Sequence, residues 1–379
     1  MAQIASSSQV GQARIADEFV HRATRAFAHG STCPPPPDDD LWVGPAITGG
    51  VLMPVVRTVQ RSGHPLAPGL KRLALEAAAR HLRTVQDLTT LVGALDGAGI
   101  AHAVLKGPML RSIVFEQTDV RDYTDLDVLV SPDQLRATLH VLEGIGAALL
   151  PTDWEHITQA RTAELALVLA NGTLLDLHCH LVNRGRARDG YRFTTGDLLS
   201  RRVARNLSGL RCTTLDDLDF VLHVALHACL SGCTQLRWLL DVQQCTRWLA
   251  ADPLELAERA TRLGLVLPVR AALDSVVSNL DARVQPWAEV MGAATPWSRT
   301  LVQLDQQRPP SMTSRRHRTA RTWYSATRGT EAGSWRSAGQ AVALAVRYAR
   351  SPWPAPSPVE VSMSDHGLQM WLGQAEQIR

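Results

Sequence analysis

Apolar residues recur along the chain with two periods, and the switches between them mark its elements. Val85, Leu88, Val92 and Leu95 repeat at helical spacing and predict a helix over 66–98, stopped by Gly97 and Gly99. Residues 100–105, Ile-Ala-His-Ala-Val-Leu, read as a short buried strand, followed at once by Lys106-Gly107-Pro108. A proline just inside a helix start fits a strand–turn–helix unit, with Met109, Ile113 and Val114 packing the helix. A second strand over 126–130 stops at Ser131-Pro132. Ser131 and Gln134 are spaced for a capping box, ahead of a helix with Leu135, Leu139 and Leu142 on one face. Two more strand-like runs, 164–170 and 173–178, are joined by Asn171-Gly172, a strong hairpin signal.

From about residue 197 the period becomes helical. Leu218, Leu222, Ala225 and Cys229 form one stripe, and further helices are expected over 236–249, 253–263 and 268–280. The pattern divides the chain into four parts. Residues 1–64 form an N-terminal extension, partly disordered, whose Pro34–Pro37 and Asp38–Asp40 read as a linker. Residues 65–196 are the core, 197–300 a helical domain, and 301–379 a C-terminal extension rich in Arg, Pro and Trp.

Composition changes this picture little. Of 379 residues, 45% are apolar, enough for a sizeable core, and a net charge of +3 is too small to imply nucleic-acid binding by itself. Lys71 and Lys106 are the only lysines, which makes Lys106 after its strand conspicuous. The six cysteines are scattered without a CxxC pair, as expected of reduced thiols. There is no signal-peptide pattern and no apolar run near the ~20 residues that span a bilayer. A soluble, cytoplasmic protein with no membrane partner is expected.

The chemistry concentrates at Asp125-Leu126-Asp127, at the start of an apolar strand. Residues two apart on a strand share a face, so both carboxylates project together, with Leu126 and Leu129 expected on the other side. Adjacent carboxylates repel, and a divalent cation with oxygen ligands resolves the repulsion. Upstream, the turn Lys106-Gly107-Pro108 opens a helix, where free backbone N–H groups and a lysine charge favour a triphosphate. Downstream, Asp176 in Leu174-Leu175-Asp176-Leu177-His178 alternates with leucines. It would ligate metal or take the proton of an attacking hydroxyl. Arg121 either neutralises Asp125 or contacts phosphate.

In order and spacing, these motifs resemble the uncharacterised nucleotidyltransferase family of the DNA polymerase beta superfamily over roughly residues 70–280. Members show a Leu-Lys-Gly turn, an Arg before an Asp-x-Asp strand, a later Asp-Leu-His, matched by Asp176-Leu177-His178, and a His near a Trp-x-x-Asp, matched by His227 and Trp238–Asp241. The resemblance implies an α+β fold, a mixed sheet flanked by helices and followed by a helical domain. It implies transfer of a nucleoside monophosphate, AMP from ATP in the leading case, with release of pyrophosphate. Asp125, Asp127 and Asp176 would be the catalytic carboxylates and would hold Mg2+ or Mn2+; Lys106, Gly107 and Arg121 would bind the nucleotide. The acceptor would be a small molecule, a peptide or protein side chain, or an RNA end. The usual Gly-Ser of the wider superfamily is replaced here by Lys106-Gly107-Pro108, and the gap to Asp125 is long. That leaves open a degenerate nucleotide-binding scaffold, and the basic tail alone supports a second alternative, a tRNA-modifying nucleotidyltransferase toxin.

Other residue clusters have plainer readings. His178, Cys179 and His180, and His223, His227, Cys229 and Cys233, have metal-like spacings, but leucines share their faces and core packing is the preferred reading. The basic C-terminal stretch with Trp323, Tyr324 and Trp335 would suit RNA, yet a solvated surface extension explains it as well.

Overall fold

The computed structural model describes residues 7–37, 41–66, 68–115, 121–150, 152–188, 190–307, 322–347, 359–360 and 363–378. Its centre is a six-stranded mixed sheet in the order β1-β2-β5-β4-β3-β8. The strands are β1 (His102–Val104), β2 (Asp125–Val130), β3 (Ala148–Leu149), β4 (Glu164–Val168), β5 (Leu174–His178) and β8 (Val359–Glu360). β2 runs parallel to β5, and the other neighbours are antiparallel. β6 (Val203–Leu207) and β7 (Leu210–Thr214) form a separate hairpin. Helices surround both sheets, so the expected α+β class with a mixed sheet is present.

Register explains why the sheet has one apolar and one polar face. Asp127 lies opposite Asp176, and Asp176 opposite Ala166; one step along, Leu129 lies opposite His178, and His178 opposite Glu164. The intervening Leu126, Val128, Leu165, Leu167, Leu175 and Leu177 are buried on the other face. Leu129 therefore sides with the acids, not with Leu126, because it lies two residues from Asp127 and alternation keeps it there.

The turn after β1 is built as the sequence suggests. Gly107 adopts φ 56° and ψ −122° at the start of the helix Pro108–Val114. A Cβ there would stand 2.8 Å from the Asp125 carbonyl oxygen. The open edge of β1 is covered by β7, whose Thr213 and Thr214 hydroxyls donate to the His102 and Val104 carbonyls at 2.7 and 2.6 Å. The Asn171-Gly172 turn closes the β4–β5 hairpin, with Gly172 at φ 85°.

Several expectations need correction. The N-terminal stretch is helical over Ser7–His29, Val43–Thr48 and Leu52–Arg61, and Ala16, Phe19, Val20 and Ala23 are buried. Its long helix is fixed at its C-terminal end by Arg61, Arg247 and Arg283, which donate to the Ala26 or Ala28 carbonyls, cations at the negative end of a helix dipole. Pro34–Pro37 is non-helical, and Asp38–Asp40 lies outside the described residues. The stretch from 197 starts within a short helix, Thr195–Ser200, but the β6–β7 hairpin follows before the long helices begin.

The C-terminal part is woven into the fold. β8 extends the sheet, and the helix His366–Ala375 packs on Trp154–Ala160 with Trp371 fully buried, its indole donating to the Thr162 carbonyl at 3.1 Å. Ser131 and Gln134 make no capping box; Gln134 instead accepts from the Ala101 N–H at 3.1 Å, tying β1 to that helix. No described helix is long and apolar enough to cross a membrane, and all six cysteines are free, buried thiols.

Gly107 combines a left-handed φ with backbone contact to β2. Gly107→Ala is expected to destabilise the protein by about 1–3 kcal/mol from backbone strain alone. Urea unfolding measures this directly, and a midpoint equal to that of the parent chain would contradict the assignment.

Candidate active site

Asp127 is the buried centre of the polar face, only 2% exposed. Lys106 reaches it from the turn, with Nζ 2.9 Å from Oδ1. His178 reaches the same oxygen through Nε2 at 3.1 Å. On the far side of the ring, Nδ1 stands 3.6 Å from Glu164 Oε2, which also accepts from Asn183 Nδ2 at 3.0 Å. Burial opposes ionisation of Asp127, but the Lys106 charge and the His178 hydrogen bond overcome it and hold its carboxyl well below the ordinary range. Burial also opposes a charge on His178; its bond to Asp127 and the nearby Glu164 outweigh that and raise its pKa.

Asp176 experiences the opposite balance. Burial, then Glu164, push its pKa up to about 7. Asp127, Asp176 and His178 each offer one ligand atom, and these atoms lie within 4.8 Å of one another, a grouping found at no other place among the described residues. Two carboxylates and an imidazole are a donor set that suits a divalent cation. The His178 Nδ1 without a hydrogen-bond partner, and the raised Asp176, mark a place where added positive charge relieves repulsion. The residues fit such an ion.

The other sequence candidates are spread around this cluster. Asp125 shares the face of Asp127 at the half-exposed start of β2, outside the three-ligand group, and its charge is felt by Asp176. Gly107 shapes the turn that delivers Lys106. Arg121 is buried and doubly bonded to Asp241, Nε to Oδ1 at 2.7 Å and Nη2 to Oδ2 at 2.8 Å. Burial works against its charge, but Asp241 more than compensates and raises its pKa.

The metal-like spacings resolve into core packing. Only His178 of its triplet lies on β5, on the polar face; the strand ends there, and His180 stacks on Phe193 at 4.8 Å. Cys229 and Cys233 are buried and belong to no three-ligand group. Of the three C-terminal aromatics only Trp335 is well exposed, and the basic residues 308–321 lie outside the described residues. Tyr324 is fully buried with its hydroxyl donating to Asp305 at 2.7 Å, and Trp323 and Trp335 pack on buried Trp297. Sequence reasoning passed over Glu164 as a site residue and read His223 as core packing; the structure places it beside the site. His223 is buried among the charges of Lys106, Asp127 and His178; burial, then Lys106, lower its pKa to about 3 and keep it neutral.

A cation must displace protons from Asp176 and His178 to bind. Because both groups are raised, divalent-ion affinity is expected to strengthen as pH rises through about 7. The gain is up to about tenfold per pH unit below that point for each proton released. Titration of the metal-free protein with Mn2+ between acid and neutral pH reads this slope, and Asp176→Asn should flatten it. A pH-independent affinity in the parent chain would contradict the site.

No curated protein matches this sequence. A family model described as an uncharacterised nucleotidyltransferase matches residues 36–280, well over half of the chain, a range that holds β1 to β7 and leaves out β8. On the match and on the geometry together, the chain belongs to that nucleotidyltransferase family.

Proposed function

We propose that the protein transfers a nucleoside monophosphate from an NTP to an acceptor hydroxyl or similar nucleophile, releasing pyrophosphate. The observation that supports this best is the parallel register that sets Asp127 against Asp176 on one face, beside a strand–turn–helix unit. Asp127 and Asp176, with Asp125 at the open end of β2, would hold Mg2+ or Mn2+. Bound there, the ion would supply charge neutralisation and Lewis-acid polarisation at the α-phosphate.

The chain's own groups have separable tasks. Lys106 and His178 keep Asp127 ionised in a nearly dry position. Asp176, with a pKa near 7 in the ion-free protein, would give up its proton as the ion binds and complete the ligand set. Glu164 orients His178 and thereby acts on Asp127 through a second residue. Arg121, locked to Asp241, carries β2's approach segment against the helix Leu236–Trp248, so its role is to position Asp125 and Asp127.

Purified protein supplied with Mg2+, each of the four NTPs and an acceptor pool is expected to release pyrophosphate. Asp127→Asn and Asp176→Asn should each lower that rate by at least about 100-fold. They should differ in stability. Asp176→Asn resembles the neutral acid that burial favours and should unfold near the parent midpoint, whereas Asp127→Asn strips Lys106 and His178 of their counter-charge and should unfold earlier. Full pyrophosphate release by a folded Asp127→Asn protein would rule the reading out.

A further inference from the structure

A triphosphate needs cations with donors to spare, and the two cations nearest the carboxylates are already engaged. Lys106 is bonded to Asp127 and Arg121 to both oxygens of Asp241. Two other arginines beside the same segment are not so engaged. Arg111, in the helix Pro108–Val114, is only 5% exposed, yet its side chain has no ion-pair or hydrogen-bond partner among the described residues, and its Nε is buried without one. Arg237, in the first turn of the helix Leu236–Trp248, has one long bond, Nη2 to Gln235 Oε1 at 3.5 Å, and a buried Nε with no partner.

These two helices pack against each other. Both guanidinium groups are within electrostatic reach of Arg121 and Asp122, and Arg237 also of Asp125, one residue pair from Asp127. The Arg237 stem is held from behind: a Cβ on Gly50 would meet its Cδ at 2.9 Å, and the Arg237 N–H donates to the Gly49 carbonyl at 3.1 Å. Burial pushes both arginines below their ordinary pKa, and the neighbouring Arg121 adds to this. A buried guanidinium without an acceptor is costly to keep. Arg111, buried without a partner, and Arg237, half-buried with one long bond, stand on adjoining helices beside a carboxylate cluster and call for an anion that arrives with the substrate.

We infer that Arg111 and Arg237 together form the anion site for the phosphate tail of the nucleotide, the role the sequence suggested for Lys106 and Arg121. Guanidinium forks match phosphate oxygens in pairs, and the phosphates leaving as pyrophosphate are the part of an NTP that presents several such oxygens. This rests on the nucleotidyltransferase reading for its ligand class, while its test is independent of turnover.

The probe is magnesium pyrophosphate, titrated calorimetrically into the full chain with Mg2+ in excess, alongside thermal melts of the ligand-free protein. Arg111→Met and Arg237→Met should each weaken pyrophosphate binding by roughly 10- to 100-fold, and their ligand-free melting temperatures should hold or rise, since a charge without a strong partner has been removed. Arg237→Lys, which keeps the charge and loses the fork, should fall between parent and Met variant. If a Met variant fails to fold, the matching Lys variants carry the comparison.

Unchanged pyrophosphate affinity in the variants, or no pyrophosphate binding by the parent chain, overturns the inference. A loss of affinity that appears only together with a lower melting temperature overturns it too, because that is the signature of a structural arginine. If the parent chain releases pyrophosphate from an NTP and the variants bind it normally, the clamp alone fails. If the variants lose pyrophosphate affinity but no NTP is ever turned over, the clamp stands and the transferase reading fails.

Discussion

Asp127 carries a negative charge where almost no water reaches it, and the surrounding residues are arranged by that charge. An ionised carboxylate in such a place is tolerated only when its oxygens meet positive or donating groups. Lys106 and His178 meet the same oxygen, Glu164 faces the other side of the His178 ring, and Asn183 faces Glu164. The parallel register of β2 and β5 then sets Asp176 directly beside this network, where burial, and then the charge of Glu164, raise its pKa. One carboxylate is held ionised and its neighbour is held near neutrality, a division of protonation states that acid–base and metal chemistry both use.

The same electrostatic logic ties distant segments together. Arg121 and Asp241 are 120 residues apart, and their buried fork joins the approach to β2 to the helix Leu236–Trp248. The preceding turn of that helix carries Arg237, whose stem rests on Gly50 from the N-terminal part. Residues that a linear reading assigns to an extension and to a helical domain thus meet at the strand that carries the acids. The long helix Ser7–His29 joins them through arginines gathered at its last carbonyls.

Much of the site was legible in the sequence because it depends on local rules. Two-residue alternation put Asp125 and Asp127 on one face, the Asn171-Gly172 turn announced the β4–β5 hairpin, and Lys106-Gly107-Pro108 announced the turn before a helix. The same alternation carried one step further identifies His178 as a companion of Asp176. Ala16, Phe19, Val20 and Ala23 have helical spacing, so the N-terminal helix was also readable, as was the Ser208-Gly209 turn of β6–β7, where both residues have positive φ. What could not be read depends on pairing across the chain. Glu164 reaches His178 only through register, Asp241 engages Arg121 across the fold, and two-residue strands such as β3 and β8 are too short to leave a period. That the Nε groups of Arg111 and Arg237 lack partners among the described residues is a property of the folded surroundings alone.

The central claim is that Asp127 and Asp176 grip one divalent cation together with the nucleotide. A crystal structure of the full chain with Mn2+ and a non-hydrolysable NTP tests it most directly. The account predicts an anomalous manganese peak at ligand distance from both carboxylates, with the α-phosphate beside it. Nucleotide bound at another surface, or manganese absent from these two side chains in crystals grown above pH 7, would contradict it.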